Sequence, residues 1–163
     1  EMSSRGLGDV YKRQGLALVG FILGDKIQNY FTPSEWQNKL SQVNDKLPLA
    51  LNELRYLWGA PITISANAEA ITRHGGESDS QHNVDKWGES RAVDFFPSGM
   101  TRSQIPRFIG LMQRAGFTGI GVYLDTAGGI MFHGDVRPDR TPDNPATWAR
   151  IAGRYTGIKE AYA

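Results

Sequence analysis

Between Ala66 and Ser90 the sequence turns polar and is punctuated by Gly75, Gly76 and Gly88. No apolar periodicity seats this stretch in a core, and a loop of such length inside a small domain is usually functional or mobile. The core must therefore come from the segments on either side. Upstream, Thr32-Pro33-Ser34-Glu35 reads as a helix start, with Thr32 as N-cap, Pro33 at the first helical position and Glu35 at the positive helix end, and predicts a helix to about Asn44. A second helix begins at Pro48, where Leu47, Leu51, Leu54 and Trp58 recur at helical spacing until Gly59 stops it. Pro61 to Ser65, rich in β-branched residues, predicts a short strand. Downstream, Arg91 to Phe96 predicts another strand. Thr101 to Gln104 has capping-box form ahead of the stripe Ile105, Phe108, Ile109 and Met112, which ends at Gly116. Gly119 to Tyr123 and Ile130 to Val136 predict a β-hairpin, and Ala146 to Ile151 a short C-terminal helix. This order of elements is that of an α+β domain, with a small, mainly antiparallel sheet flanked by helices.

Charge and composition narrow the function. Lys and Arg number 18 against 17 for Asp and Glu, so the net charge of +1 supplies no basic field for a nucleic-acid backbone. Cysteine is absent, which excludes disulfides and thiolate metal sites; a transition metal would have to be held by His, Asp or Glu. The longest apolar run, Gly15 to Gly24, is short of the ~20 residues that a membrane-spanning helix needs and reads as a buried terminal helix or strand ahead of the alternatives, a signal-peptide core remnant or an interfacial segment. Residues 1–14 lack periodicity and resemble a translated sequencing adaptor, so they are set aside as artefact or disorder. The expected organisation is an apolar segment over 15–30, one domain over 31–152 acting as a monomer, and a C-terminal tail over 153–163.

Two of the three histidines lie in chemically suggestive settings: Ser80-Gln81-His82, upstream of Arg91-Ala92-Val93-Asp94, and Phe132-His133-Gly134-Asp135-Val136-Arg137. Two imidazoles and one carboxylate suffice for a catalytic zinc site, which takes three protein ligands and keeps a fourth position open. His82 would come from the loop, Asp94 from a strand and His133 from the hairpin. Taken alone, His133 reads as a structural strand histidine; the neighbouring blocks change that reading.

Those blocks, with Gly119-Ile120-Gly121-Val122-Tyr123 between them, resemble in kind and order the zinc-dependent D-Ala-D-Ala carboxypeptidase family of peptidoglycan peptidases, in particular its phage and bacterial branch. Its fold is shared with the amino-terminal signalling domain of Hedgehog proteins. The resemblance spans Phe31 to Trp148 and implies zinc ligation by His82, Asp94 and His133, with peptidoglycan peptide stems as substrate and a periplasmic, extracellular or virion-associated setting. Two departures stand out. His82 and Asp94 lie twelve apart where the family pattern has seven, with Asp85 to Glu89 as an apparent insertion. Ile130 occupies the place where many members carry a glutamate base, so that role must move or be missing. Asp135 is the first candidate, either as base or as a carboxylate that orients a ligand imidazole, and Glu89 and Asp125 are weaker ones. Arg73 lies where the family carries an arginine acting on the scissile carbonyl or a substrate carboxylate. His74 is a substitute ligand should the insertion displace His82; Arg137 reads as an ion-pair partner, and Trp87 and Trp148 as possible walls of the groove. The alternative to an active peptidase is a catalytically silent metal-binding or structural module with the same fold.

Overall fold

The structure, a computed structural model, describes residues 21–23, 26–75 and 78–163. The reading of 1–14 lies outside them. Within the apolar N-terminal segment, β1 (Phe21–Leu23) pairs antiparallel with β2 (Lys26–Gln28).

Helix α1 (Lys46–Trp58) buries Leu47, Leu51 and Leu54 completely, and Gly59 ends it in the left-handed region at φ 73°. The stripe read from the sequence is therefore its core face. Helix α3 (Ile105–Ala115) follows a capping box between Thr101 and Gln104, ends at Gly116 with φ 101°, and buries Ile105, Phe108 and Met112. The two helices pack together through an edge-to-face Trp58–Phe108 contact. Phe108 then meets Phe95 and Phe132 of the sheet beneath. Burying each such ring contributes roughly 1.5–3 kcal/mol, so this aromatic cluster anchors the helical layer.

The main sheet runs in the order β3 (Ile62–Ile64), β4 (Ala92–Pro97), β6 (Gly129–Asp135), β5 (Gly119–Thr126), β7 (Ala146–Ile151), β8 (Arg154–Thr156). All neighbours are antiparallel except β5 and β7. Alternation gives the sheet two faces. Val93, Phe95, Phe132, Ile120 and Val122 point to the helices and are fully buried, while Asp94, His133, Tyr123 and Trp148 line a cleft on the opposite face.

Three sequence expectations need correction. The first helix is absent: residues 33–38 form turns, followed by a 3-10 turn at Leu40–Gln42. The start signal is real, since Thr32 N–H donates to Glu35 Oε2 at 2.8 Å, but Gln37 and Asn38 take left-handed φ values of 52° and 55° that break the helix. Tertiary bonds favour the break: Gln37 Nε2 donates to Ser65 and Asn67 carbonyls and Lys39 Nζ to that of Ala68. Ala146 to Ile151 is a strand, not a helix, because β5 offers it a parallel partner from Gly119↔Ala146 to Tyr123↔Arg150. The expected tail continues the fold: Arg154–Thr156 adds the edge strand β8, and Ala161 is fully buried.

Candidate metal centre

Register builds the site. Asp94 of β4 lies directly opposite His133 of β6, and His133 opposite Gly121 of β5, which in turn faces Trp148 of β7. Cross-strand neighbours on one face have Cβ atoms about 4.5–5.5 Å apart, so Asp94 and His133 meet by sheet geometry alone. His82 arrives from the long loop, which backbone bonds hold in place: Arg73 N–H donates to the His82 carbonyl at 2.7 Å, and Arg91 N–H to that of Gln81 at 2.8 Å. Part of the stretch Asp85 to Glu89 lies in a short helix, α2 (Val84–Trp87), capped by the Asn83 side chain. That helix stands apart from the backbone bonds that aim His82 at the sheet.

The result is a triangle of donor atoms. His133 Nδ1 lies 3.0 Å from Asp94 Oδ1 and 3.2 Å from His82 Nε2, and His82 Nε2 lies 3.4 Å from Asp94 Oδ1. Each imidazole is engaged at its outer nitrogen: His82 Nδ1–H donates to the Ile71 carbonyl at 3.3 Å, and His133 Nε2–H to Asp135 Oδ2 at 3.0 Å. That fixes the tautomers and turns two lone pairs and a carboxylate toward a common point, an arrangement that repels itself unless a cation or proton sits within it. Tetrahedral ligand bonds of about 2.0–2.1 Å place donors about 3.3–3.4 Å apart, close to the spacing seen. The donor set therefore fits a zinc ion.

Electrostatics agree. Burial pushes the His133 imidazole down, but its hydrogen bonds and charge pairing with Asp135 and Asp94 prevail and hold it up at about 9. Burial raises the Asp94 carboxyl, yet hydrogen bonds to His133 and His82 bring it well below the usual carboxylate range. A proton on His133 and a metal ion thus compete for one place.

Asp135 lies behind the imidazole, away from the donor triangle. It is fully buried, and Arg137 clamps it with Nε at 2.8 Å and Nη2 at 2.5 Å. Burial raises its carboxyl, but the Arg137 and His133 hydrogen bonds keep it far below its ordinary value. Of its two readings, this geometry fits the carboxylate that orients His133; a base must face the cleft. Glu89 accepts from Asn44, and Asp125 from Arg150 and Gly153; neither lines the cleft. His74 pairs with Asp85 on the exposed side of the loop, and Trp87 donates to the Ser80 carbonyl while Arg91 stacks on it, so neither reaches the site. Trp148 does line it.

Arg73 lines the cleft too, in an exposed pair with Glu69 at 3.1 Å. An exposed pair of this kind contributes about 0.2–1 kcal/mol, so Arg73 is readily released to a ligand. Sequence reasoning assigned no role to Glu69, Asp79, Tyr123 or Tyr155, which also line the cleft. The four-residue spacing of Glu69 and Arg73 was visible; the convergence of the others was not.

The family model described as Peptidase M15 matches residues 29–127, more than half of the chain, and stops short of His133. Comparison with curated proteins finds no match, and comparison with solved structures finds none either.

Proposed function

The chain belongs to the peptidase M15 family, and on that premise we propose that it is a zinc-dependent hydrolase of amide bonds in the peptide stems of bacterial cell wall, beside a D-amino acid. The observation that carries this reading is the convergence of His82 Nε2, Asp94 Oδ1 and His133 Nδ1, each imidazole secured at its other nitrogen. The cleft of about 770 Å³ suits a few residues of an extended substrate and excludes a folded one.

His82, Asp94 and His133 would hold the ion, and zinc so bound supplies water activation and carbonyl polarisation. Asp135 keeps His133 in the tautomer that presents Nδ1, and Arg137 keeps Asp135 charged. Arg73, exchanging Glu69 for substrate, aligns a carbonyl or terminal carboxylate. Proton transfer falls to a cleft-facing carboxylate. Besides Asp94, the described residues offer Glu69 and Asp79 there.

The test is digestion of purified sacculi and of a synthetic stem peptide ending in D-Ala-D-Ala, with zinc and with chelator, analysed by mass spectrometry. Zinc-dependent cleavage, lost in His133→Ala and reduced in Glu69→Gln or Asp79→Asn, is expected. A protein that binds zinc yet leaves both substrates intact is the silent module instead.

A further inference from the structure

The Gly-x-Gly-x-Tyr segment does more than supply backbone to strand β5. On the sheet face opposite the helices, Ala92, Asp135, Gly119 and Ala146 form one cross-sheet row beyond the cleft, and Asp94, His133, Gly121 and Trp148 form the next. The central strand thus contributes no side chain to either row. A Cβ at Gly119 would lie 2.2–2.4 Å from the Asp135 carboxylate, and one at Gly121 2.5 Å from the Trp148 ring. Both distances are impossible, so each neighbour occupies the space a side chain would take.

At Gly121 the occupant reaches across the strand. The Trp148 indole lies against the His133 imidazole, with ring centroids 5.1 Å apart, and Arg137 covers it at 5.5 Å. Its Nε1–H donates to the Tyr123 hydroxyl at 3.2 Å. One side chain that never titrates is therefore in contact with a metal-ligand candidate, with the cation clamping Asp135 and with a cleft hydroxyl.

We propose that Trp148, admitted by Gly121, is a positioning residue that fixes the plane of the His133 ring. Asp135 holds His133 at Nε2, and Asp94 and His82 meet it at Nδ1, so the polar contacts act only at the two ring nitrogens, on the ring's edge. The indole, tilted 52° to the imidazole at 5.1 Å between centroids, adds a rigid apolar wall against the ring itself, and its N–H, spent on Tyr123, locks the indole in turn.

The metal-affinity part rests on the zinc reading above, so a second readout stands apart from it. Zinc affinity is measured by chelator competition, and the ring nitrogens of His133 are followed by NMR without metal, in wild type, Trp148→Phe, Trp148→Leu and Gly121→Ala. Ile105→Val, a core change in α3, serves as control: it lowers the melting temperature but leaves both readouts in place. About tenfold or greater loss of zinc affinity is expected for Trp148→Leu and Gly121→Ala, and about threefold for Trp148→Phe, each with displaced His133 signals. Affinities within twofold of wild type throughout, with unmoved His133 signals, would overturn the proposal. If the two larger changes prevent folding, Trp148→Phe decides by the same criteria. If wild type fails to bind zinc, the metal reading falls, and the His133 signals alone judge the role of Trp148.

Discussion

Replacing Asp135 with asparagine separates the two roles open to this carboxylate. Asp135 receives Nε2–H of His133 and two guanidinium bonds of Arg137, and it has no exposure to solvent. An amide offers one oxygen and one NH2: with its oxygen at the Oδ2 position it still accepts from His133 Nε2–H and Arg137 Nη2–H, but its NH2 then faces the Nε–H and backbone N–H donors of Arg137, and the flipped amide turns that NH2 on His133. If Asp135 orients the ligand, zinc affinity falls about 10–100-fold, equivalent to about 1.4–2.7 kcal/mol. Stability falls as well. Removing one charge of a buried pair costs about 3–5 kcal/mol, and the lower end applies because Arg137 keeps 20% side-chain exposure. For a chain of this size that corresponds to a melting temperature lower by about 6–12 °C. Zinc titration with a competing chromophore and thermal unfolding of the metal-free protein measure both. Unchanged affinity and melting, together with lost hydrolysis, would refute the orienting role and restore Asp135 as the base.

The remaining expectations concern protons, metal and space. His133 is raised above its unfolded value, so its contribution to metal-free stability is complete below about pH 6.5 and disappears as pH rises through about 9, whereas the lowered Asp94 and Asp135 contribute above the ordinary carboxylate range and lose that contribution in acid. Denaturant midpoints across pH should trace this window; zinc uptake near pH 7 should release about one proton, read by calorimetry in two buffers, and a buffer-independent heat would contradict the competition at His133. Zinc at a hundredfold over its dissociation constant should add about 2.7 kcal/mol of stability, and chelator should reverse it; an unshifted melting curve would count against the site. Gly119→Ala should destabilise by about 1–3 kcal/mol and weaken zinc binding, whereas Gly110→Ala, with nothing within 4 Å of the added methyl, should stabilise α3 by roughly 0.5–1 kcal/mol; equal effects would mean that Asp135 has room to move.

What the chain encodes over short range was legible before folding. The stripe Leu47, Leu51, Leu54 and the stops at Gly59 and Gly116 set α1 and α3, because helix periodicity and left-handed caps depend on neighbours within a few residues. The run Arg91 to Phe96 likewise read as a strand, and in the structure its alternation sets Val93 and Phe95 in the core and Asp94 on the other face. The lists of His82, Asp94 and His133 came from the order of motifs, which says which residues to bring together but not how they meet. Register decided that: Asp94 faces His133 because β4 pairs with β6, a choice made by sheet assembly across nearly forty residues. The same long-range pairing turned Ala146–Ile151 into a strand, sealed Asp135 behind the imidazole, and set Trp148 over Gly121. Local propensity is weak beside such pairing, and only the completed sheet brings distant residues within bonding distance.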